Sequence, residues 1–245
     1  MNLTGADFPA SLITIMGSQL TPILRRIKLS LVWLVVLTLS AVTVTAQTTA
    51  YVVPAGLVGN QDLSLAPQSL GMDFNVNASI FISSLGVFDS GQNGLTAPLT
   101  AHIFDRVSQN SLVALTFSPA VPGALIGGSR FLPLAVPLLL VAGFNGSIVV
   151  DYVTNPTELN GNQNDASFPH PWTTDSGGGL ISFVGLSRHT LGGTGAGYPN
   201  IVDAVSADKY AAGTFQFVAI PEPSILGLLA LGGLLSVRLF RRRSL

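Results

Sequence analysis

Between residues 47 and 219 the chain alternates short β-forming runs with tight-turn clusters, and this rhythm points to a fold built of strands. Runs at 79–82, 85–88, 101–105, 112–117, 130–140, 147–153, 180–184 and 214–218 are rich in β-branched and aromatic residues. Thr214-Phe215-Gln216-Phe217 alternates polar and apolar, the period of a strand with one face in a core. Between the runs lie Asp89-Ser90-Gly91-Gln92-Asn93-Gly94, Asn145-Gly146, Asn160-Gly161-Asn162-Gln163-Asn164-Asp165 and Ser176-Gly177-Gly178-Gly179. Gly and Asn supply the positive-φ positions that such turns need. Outside the two ends, no window holds a helical period free of Gly and Pro. The predicted fold is therefore all-β, a β-sandwich or jelly roll. Pro133 and Pro137 remove ladder donors inside the 130–140 run, so that strand is predicted to be an edge or to bulge.

The two ends read differently. Arg25, Arg26 and Lys28 precede an apolar run over 29–44, and Val44-Thr45-Ala46 is followed by Gln47. A positive segment, an apolar segment and small residues before a cut make a signal peptide, with cleavage between Ala46 and Gln47. The alternative is an uncleaved membrane helix, but polar Thr38, Ser40, Thr43 and Thr45 dilute its second half. At the other end, Pro221-Glu222-Pro223-Ser224 leads into an apolar run from Ile225 and then Arg238, Arg241, Arg242 and Arg243. Residues 225–240 would make about 24 Å of helix at 1.5 Å per residue. That spans a hydrocarbon core of about 30 Å only if Arg238 snorkels and the bilayer thins. The arginines belong on the cytoplasmic side, which leaves the middle of the chain outside, as the signal peptide requires. The expected organisation is a leader and signal peptide at 1–46, one β domain at 47–219 and an anchoring segment at 220–245.

Pro221-Glu222-Pro223, a short glycine-rich apolar helix and an arginine cluster, in that order, resemble the PEP-CTERM sorting signal. The resemblance implies an enveloped bacterium with an exopolysaccharide locus, and processing near Pro221–Pro223 by an exosortase, a transpeptidase-like membrane enzyme. Two prolines hold the segment extended and outside any sheet or helix, a form that a processing cleft can grip. The alternative is a plain C-terminal anchor with a Pro-rich linker. A second resemblance runs through the middle. Gly71-Met72-Asp73-Phe74, Leu85-Gly86-Val87-Phe88-Asp89-Ser90-Gly91 and His102-Ile103-Phe104-Asp105 are similar to a β-sandwich family common among PEP-CTERM proteins. Gly127-Gly128-Ser129-Arg130-Phe131, Gly178-Gly179-Leu180-Ile181-Ser182-Phe183 and the stretch from Tyr210 to Phe217 extend the match over most of 59–218. It implies a fold and no reaction.

Charge excludes one class of partner. Residues 47–219 carry ten acidic side chains and four basic ones, Arg106, Arg130, Arg188 and Lys209. Nucleic-acid binding needs a basic face, which this middle lacks. With no cysteine there is neither a disulfide framework nor a thiolate metal site. His102, His170 and His189 fall at no zinc spacing; His102 is read as a strand residue facing solvent, opposite in direction to Ile103. Asp89 to Gly94 partly fits a calcium loop, but position three is Gly91 and position twelve is Thr100, so a β-turn is the reading. No cofactor is expected; calcium held by Asp73, Asp89 or Asp105 is the alternative.

Catalytic motifs are lacking. There is no Gly-x-Ser-x-Gly elbow and no Ser-x-x-Lys. A Ser-His-Asp triad would have to assemble from distant positions. The only glutamates are Glu158 and Glu222, so paired carboxylates for glycoside hydrolysis are unsupported. Trp172, beside Asn162 and Asn164, is the candidate sugar-stacking residue, against a plainer role packing its loop onto the sheets. The expectation is an exported, non-catalytic surface or matrix protein, with Sec machinery, an exosortase-like enzyme and exopolysaccharide as partners. A polysaccharide-binding module is the first alternative, and a secreted hydrolase the second.

Overall fold

The computed structural model describes residues 46–59, 68–152, 172–190, 197–203 and 210–220. They belong to one compact unit, Thr45–Ile220. Its strands are β1 (Thr48–Thr49), β2 (Tyr51–Val52), β3 (Gln68–Val76), β4 (Ile80–Phe88), β5 (Leu99–Asp105), β6 (Ser111–Phe117) and β7 (Ala124–Ile126). They continue with β8 (Ser129–Leu140), β9 (Asn145–Tyr152), β10 (Thr173–Thr174), β11 (Ile181–His189), β12 (Ile201–Asp203) and β13 (Gly213–Ala219). Among the described residues the only helical element is a three-residue 3-10 turn, Ser90–Gln92. Both predicted terminal helices lie outside the described residues.

The fold is all-β and its ladders are antiparallel. One sheet has the order β1-β13-β4-β8-β7, the other β12-β11-β3-β9-β5-β6, and β10 pairs with β2 in a short separate ladder. The two large sheets bury a common core. Leu70, Met72, Phe74 and Val76 alternate along one face of β3 and join Ile148, Val150 and Tyr152 of β9. Phe215 and Phe217 of β13 and Ile80, Ile82 and Leu85 of β4 enter the same core from the first sheet. Phe74 and Phe215 meet across it with ring centroids 4.8 Å apart. Gly213 lets β13 approach β9 closely: a Cβ there would stand 2.8 Å from Val150 Cγ2 and 2.9 Å from Ile148 Cγ1.

Most predicted runs are strands, with informative differences. The runs at 79–82 and 85–88 are one strand, β4, whose register slips between Ile82 and Ser84. The proline prediction holds in both forms. Ile82 pairs with Leu138 and Ser84 with Pro133, so residues 134–137 of β8 bulge opposite Ser83. Strand β7 pairs only with residues 129–131 of β8, which leaves the proline-bearing half as a free edge. Strand β3 was not among the predicted runs. Its sequence, QSLGMDFNV, has one β-branched residue and several polar ones. It nonetheless lies between β11 and β9, because its alternate apolar residues reach the core and Asp73 and Asn75 find side-chain partners on the outer face.

Candidate functional site

The outer face of the six-stranded sheet carries the densest polar chemistry among the described residues. Because Leu70, Met72, Phe74 and Val76 point into the core, the strand period sends Asp73 outward. Its carboxylate is fully buried all the same. Arg188 of β11 reaches it through Nε at 2.8 and 2.9 Å from the two oxygens. Arg106, just past β5, donates Nη1 to Oδ2 at 3.4 Å, and the Ser147 hydroxyl of β9 donates to Oδ1. Arg106 also donates to the side chains of Asn75 and Asn145 and to the Phe74 carbonyl. Two guanidiniums on one carboxylate leave a local positive excess, and the Arg106 Nε lies buried with no hydrogen-bond partner among the described residues.

An aromatic layer covers this cluster. The Arg188 guanidinium lies 5.2 Å over the Tyr198 ring. Tyr198 meets Phe104 edge-on at 5.6 Å, and Phe104 stacks on His102 at 5.3 Å. Pro199 sits over Gly71, where an added Cβ would lie 3.5 Å from its Cγ and 2.9 Å from Val149 Cγ2. Gly71 therefore makes room for the covering segment.

Beside it the fold assembles a serine, a histidine and an aspartate from separate strands. His102 of β5 places Nε2 3.2 Å from Asp151 Oδ2 on β9 and Nδ1 3.0 Å from Ser111 Oγ on β6. His102 is directed away from the core, as predicted, but its side chain is only 16% exposed because these partners and Phe104 enclose it. A carboxylate that orients an imidazole, which in turn bonds a hydroxyl, is the order of a nucleophile relay. Two further features bear on that likeness. Ser111 has a single proton and also faces the Val113 carbonyl at 3.3 Å. It also stands on the exposed edge strand, while a cleft of about 240 Å³ lined by Thr48, Thr49, Val52, Gly127, Phe131 and Asp175 includes none of the three residues.

The aspartates considered for calcium are engaged elsewhere. Asp89 is fully buried, 2.6 Å from Arg130 Nε, and accepts the Gly94 N–H at 3.3 Å, which is the β-turn reading. Asp105 accepts the Val107 N–H at 2.9 Å and the Ser108 hydroxyl at 2.8 Å. These donors hold its carboxyl below the ordinary value of 3.8. With Asp73 on its arginines, the three aspartates occupy separate networks, and no group of three His, Cys, Asp or Glu side chains converges among the described residues. Three of the four cations in the middle of the chain thus sit on aspartates, and Lys209 lies outside the described residues.

Trp172 is buried, 5% exposed, and packs edge-on against Tyr51 at 6.1 Å. It belongs to the hydrophobic core. Asn162, Asn164 and His170 lie outside the described residues. So do Pro221, Glu222, Pro223 and Ser224 of the sorting motif, and Arg238, Arg241, Arg242 and Arg243. The predicted cleavage residues Ala46 and Gln47 are exposed and directly precede β1. The Asp73 cluster went unread in the sequence. Its one signal was an acid set among alternating core residues in a segment not taken for a strand.

No model of a known protein family matches the chain, and no curated protein matches it.

Proposed function

We propose that this chain is an exported, non-catalytic surface or matrix protein, a β-sandwich carried between a cleaved signal peptide and a sorting segment of the PEP-CTERM kind. One observation supports this above others: the folded unit fills the interval between the two targeting segments. The first strand begins at Thr48, two residues after the cleavage position, and the last ends at Ala219, two residues before Pro221. Removing both ends would leave every described strand in place. Two sheets around one core support the sandwich as the finer description of the fold. In this reading Sec machinery exports the chain, an exosortase-like enzyme processes it near Pro221–Pro223, and exopolysaccharide is the surrounding material. The polar face of the six-stranded sheet is then a structural layer that replaces a second apolar core.

The test is the intact mass of the protein recovered from cells and medium of its native host. The expected species begins at Gln47 and ends within residues 221–223. A species that keeps residues 225–245 would make it a plain anchored protein and remove the sorting reading. One that keeps residues 1–46 would remove the cleaved signal peptide.

A further inference from the structure

One pole of the domain gathers both ends of the described unit. Strand β1 is antiparallel to β13, with Thr48 opposite Phe217, so the chain enters beside the point where it leaves. Ile220 is tied there, its N–H 3.4 Å from the Ser79 carbonyl in the β3–β4 turn. The Ser79 hydroxyl accepts the Ala142 N–H at 3.1 Å, which joins the β8–β9 turn to the same knot. That turn is held to β3 by the Gly143 N–H on the Val76 carbonyl at 2.7 Å. The β5–β6 hairpin joins through the Arg106 N–H on the Asn145 carbonyl at 3.0 Å.

The tips of these turns are uncharged. Val107 is 81% exposed and Val141 is 58% exposed, and around them stand Asn77, Ala78, Ala142 and Gly143. At the base of the β5–β6 hairpin Arg106 is turned inward to Asp73, while the Asp105 carboxylate is solvent-exposed and accepts the Val107 N–H and the Ser108 hydroxyl of its own hairpin. Asp175, exposed nearby, accepts the Gly177 N–H at 2.8 Å. Bringing such a surface against lipid headgroups strips few charges of water.

We infer that this pole rests on the outer surface of the membrane for as long as the C-terminal segment is uncut, with Val141 and Val107 in contact with lipid headgroups. The inference rests on the anchoring reading above, and tether length carries it. Only Pro221, Glu222, Pro223 and Ser224 separate Ile220 from the apolar run. Four residues reach at most about 14 Å, even fully extended. The headgroup region takes up roughly 5–8 Å of that on each side of the bilayer. The opposite pole is a nine-residue strand away, about 30 Å. The tether also keeps the pole at high effective concentration near the lipid, so weak contacts suffice.

The chain has no cysteine, which makes single-cysteine labelling clean. Full-length Val141→Cys carries a fluorophore at this pole, and full-length Val121→Cys carries it at the other, where Val121 is 56% exposed. Each is reconstituted into phosphatidylethanolamine–phosphatidylglycerol vesicles containing headgroup spin-labelled lipid. The expected result is severalfold stronger quenching at position 141 than at 121. Equal quenching at the two positions, in chains that co-sediment with the vesicles, overturns the inference and leaves the anchor standing. Chains that do not co-sediment overturn the anchor, and the inference with it.

Discussion

Thr48 lies opposite Phe217 in the β1–β13 ladder, so the first strand of the fold is laid along its last. The pairing is reinforced a few residues on, where the Thr214 hydroxyl accepts the Tyr51 N–H at 3.1 Å and reaches the Tyr51 carbonyl at 2.9 Å. Closure of the domain therefore depends on β13 being held in the core. Phe217, fully buried beside Phe215, helps to hold it there. Phe217→Ala is expected to cost about 3–5 kcal/mol, the usual range for emptying a buried phenylalanine site. The urea midpoint should fall accordingly, and amide protection of Thr48 to Val52 should be lost with it.

Asp73 is the counter-charge of two arginines whose side chains are 15–16% exposed. Asp73→Ala leaves both cations facing each other without it, a change that costs about 3–5 kcal/mol when a charge pair is this well covered. Adding Arg188→Met to Asp73→Ala should return part of the loss, since one uncompensated cation is gone. Denaturation of the two single variants and the double variant measures the coupling. Strict additivity would mean that Arg188 and Asp73 do not act as a pair.

Asp105 has its carboxyl held below 3.8, first by the Val107 N–H and then by the Ser108 hydroxyl. A lowered folded-state value means that the ionised form is favoured in the native protein. Its contribution is then fully present above the unfolded value and is lost as pH falls through the folded one. The stability gap between the native chain and Asp105→Ala should be constant near neutrality and shrink below about pH 4. The group is solvent-exposed, so the gap is small. Thermal unfolding across pH 2–7 reads it, and a gap that widens toward acid would reverse the assignment.

Trp172 packs against Tyr51, and its indole nitrogen is buried without a hydrogen-bond partner among the described residues. Trp172→Ala is expected to lower stability by about 3–5 kcal/mol while leaving migration through exopolysaccharide gels unchanged at temperatures where the variant is folded. A loss of retardation in the folded variant would restore Trp172 as a sugar-binding residue.

Much of the fold was legible because its cause is local. Alternation of apolar and polar residues, turn-forming Gly and Asn, and the missing N–H of Pro133 and Pro137 act over a few residues, and they set the all-β class and the bulged, half-free β8. The proposed signal peptide and sorting segment are likewise read from local patterns, in residues 1–46 and 220–245 alone. What the sequence did not show is decided by pairing across long separations. Strand β3 became a central strand only because β9 and β11 supply neighbours on both sides. Asp73 met Arg188, 115 residues away, and Ser147, 74 residues away. His102, Asp151 and Ser111 came together through the ladders of β5 with β6 and β9. Trp172 was placed by what packs against it. A register between distant strands leaves no periodic trace in either, because it depends on which apolar faces fill one core together, a property of the closed fold.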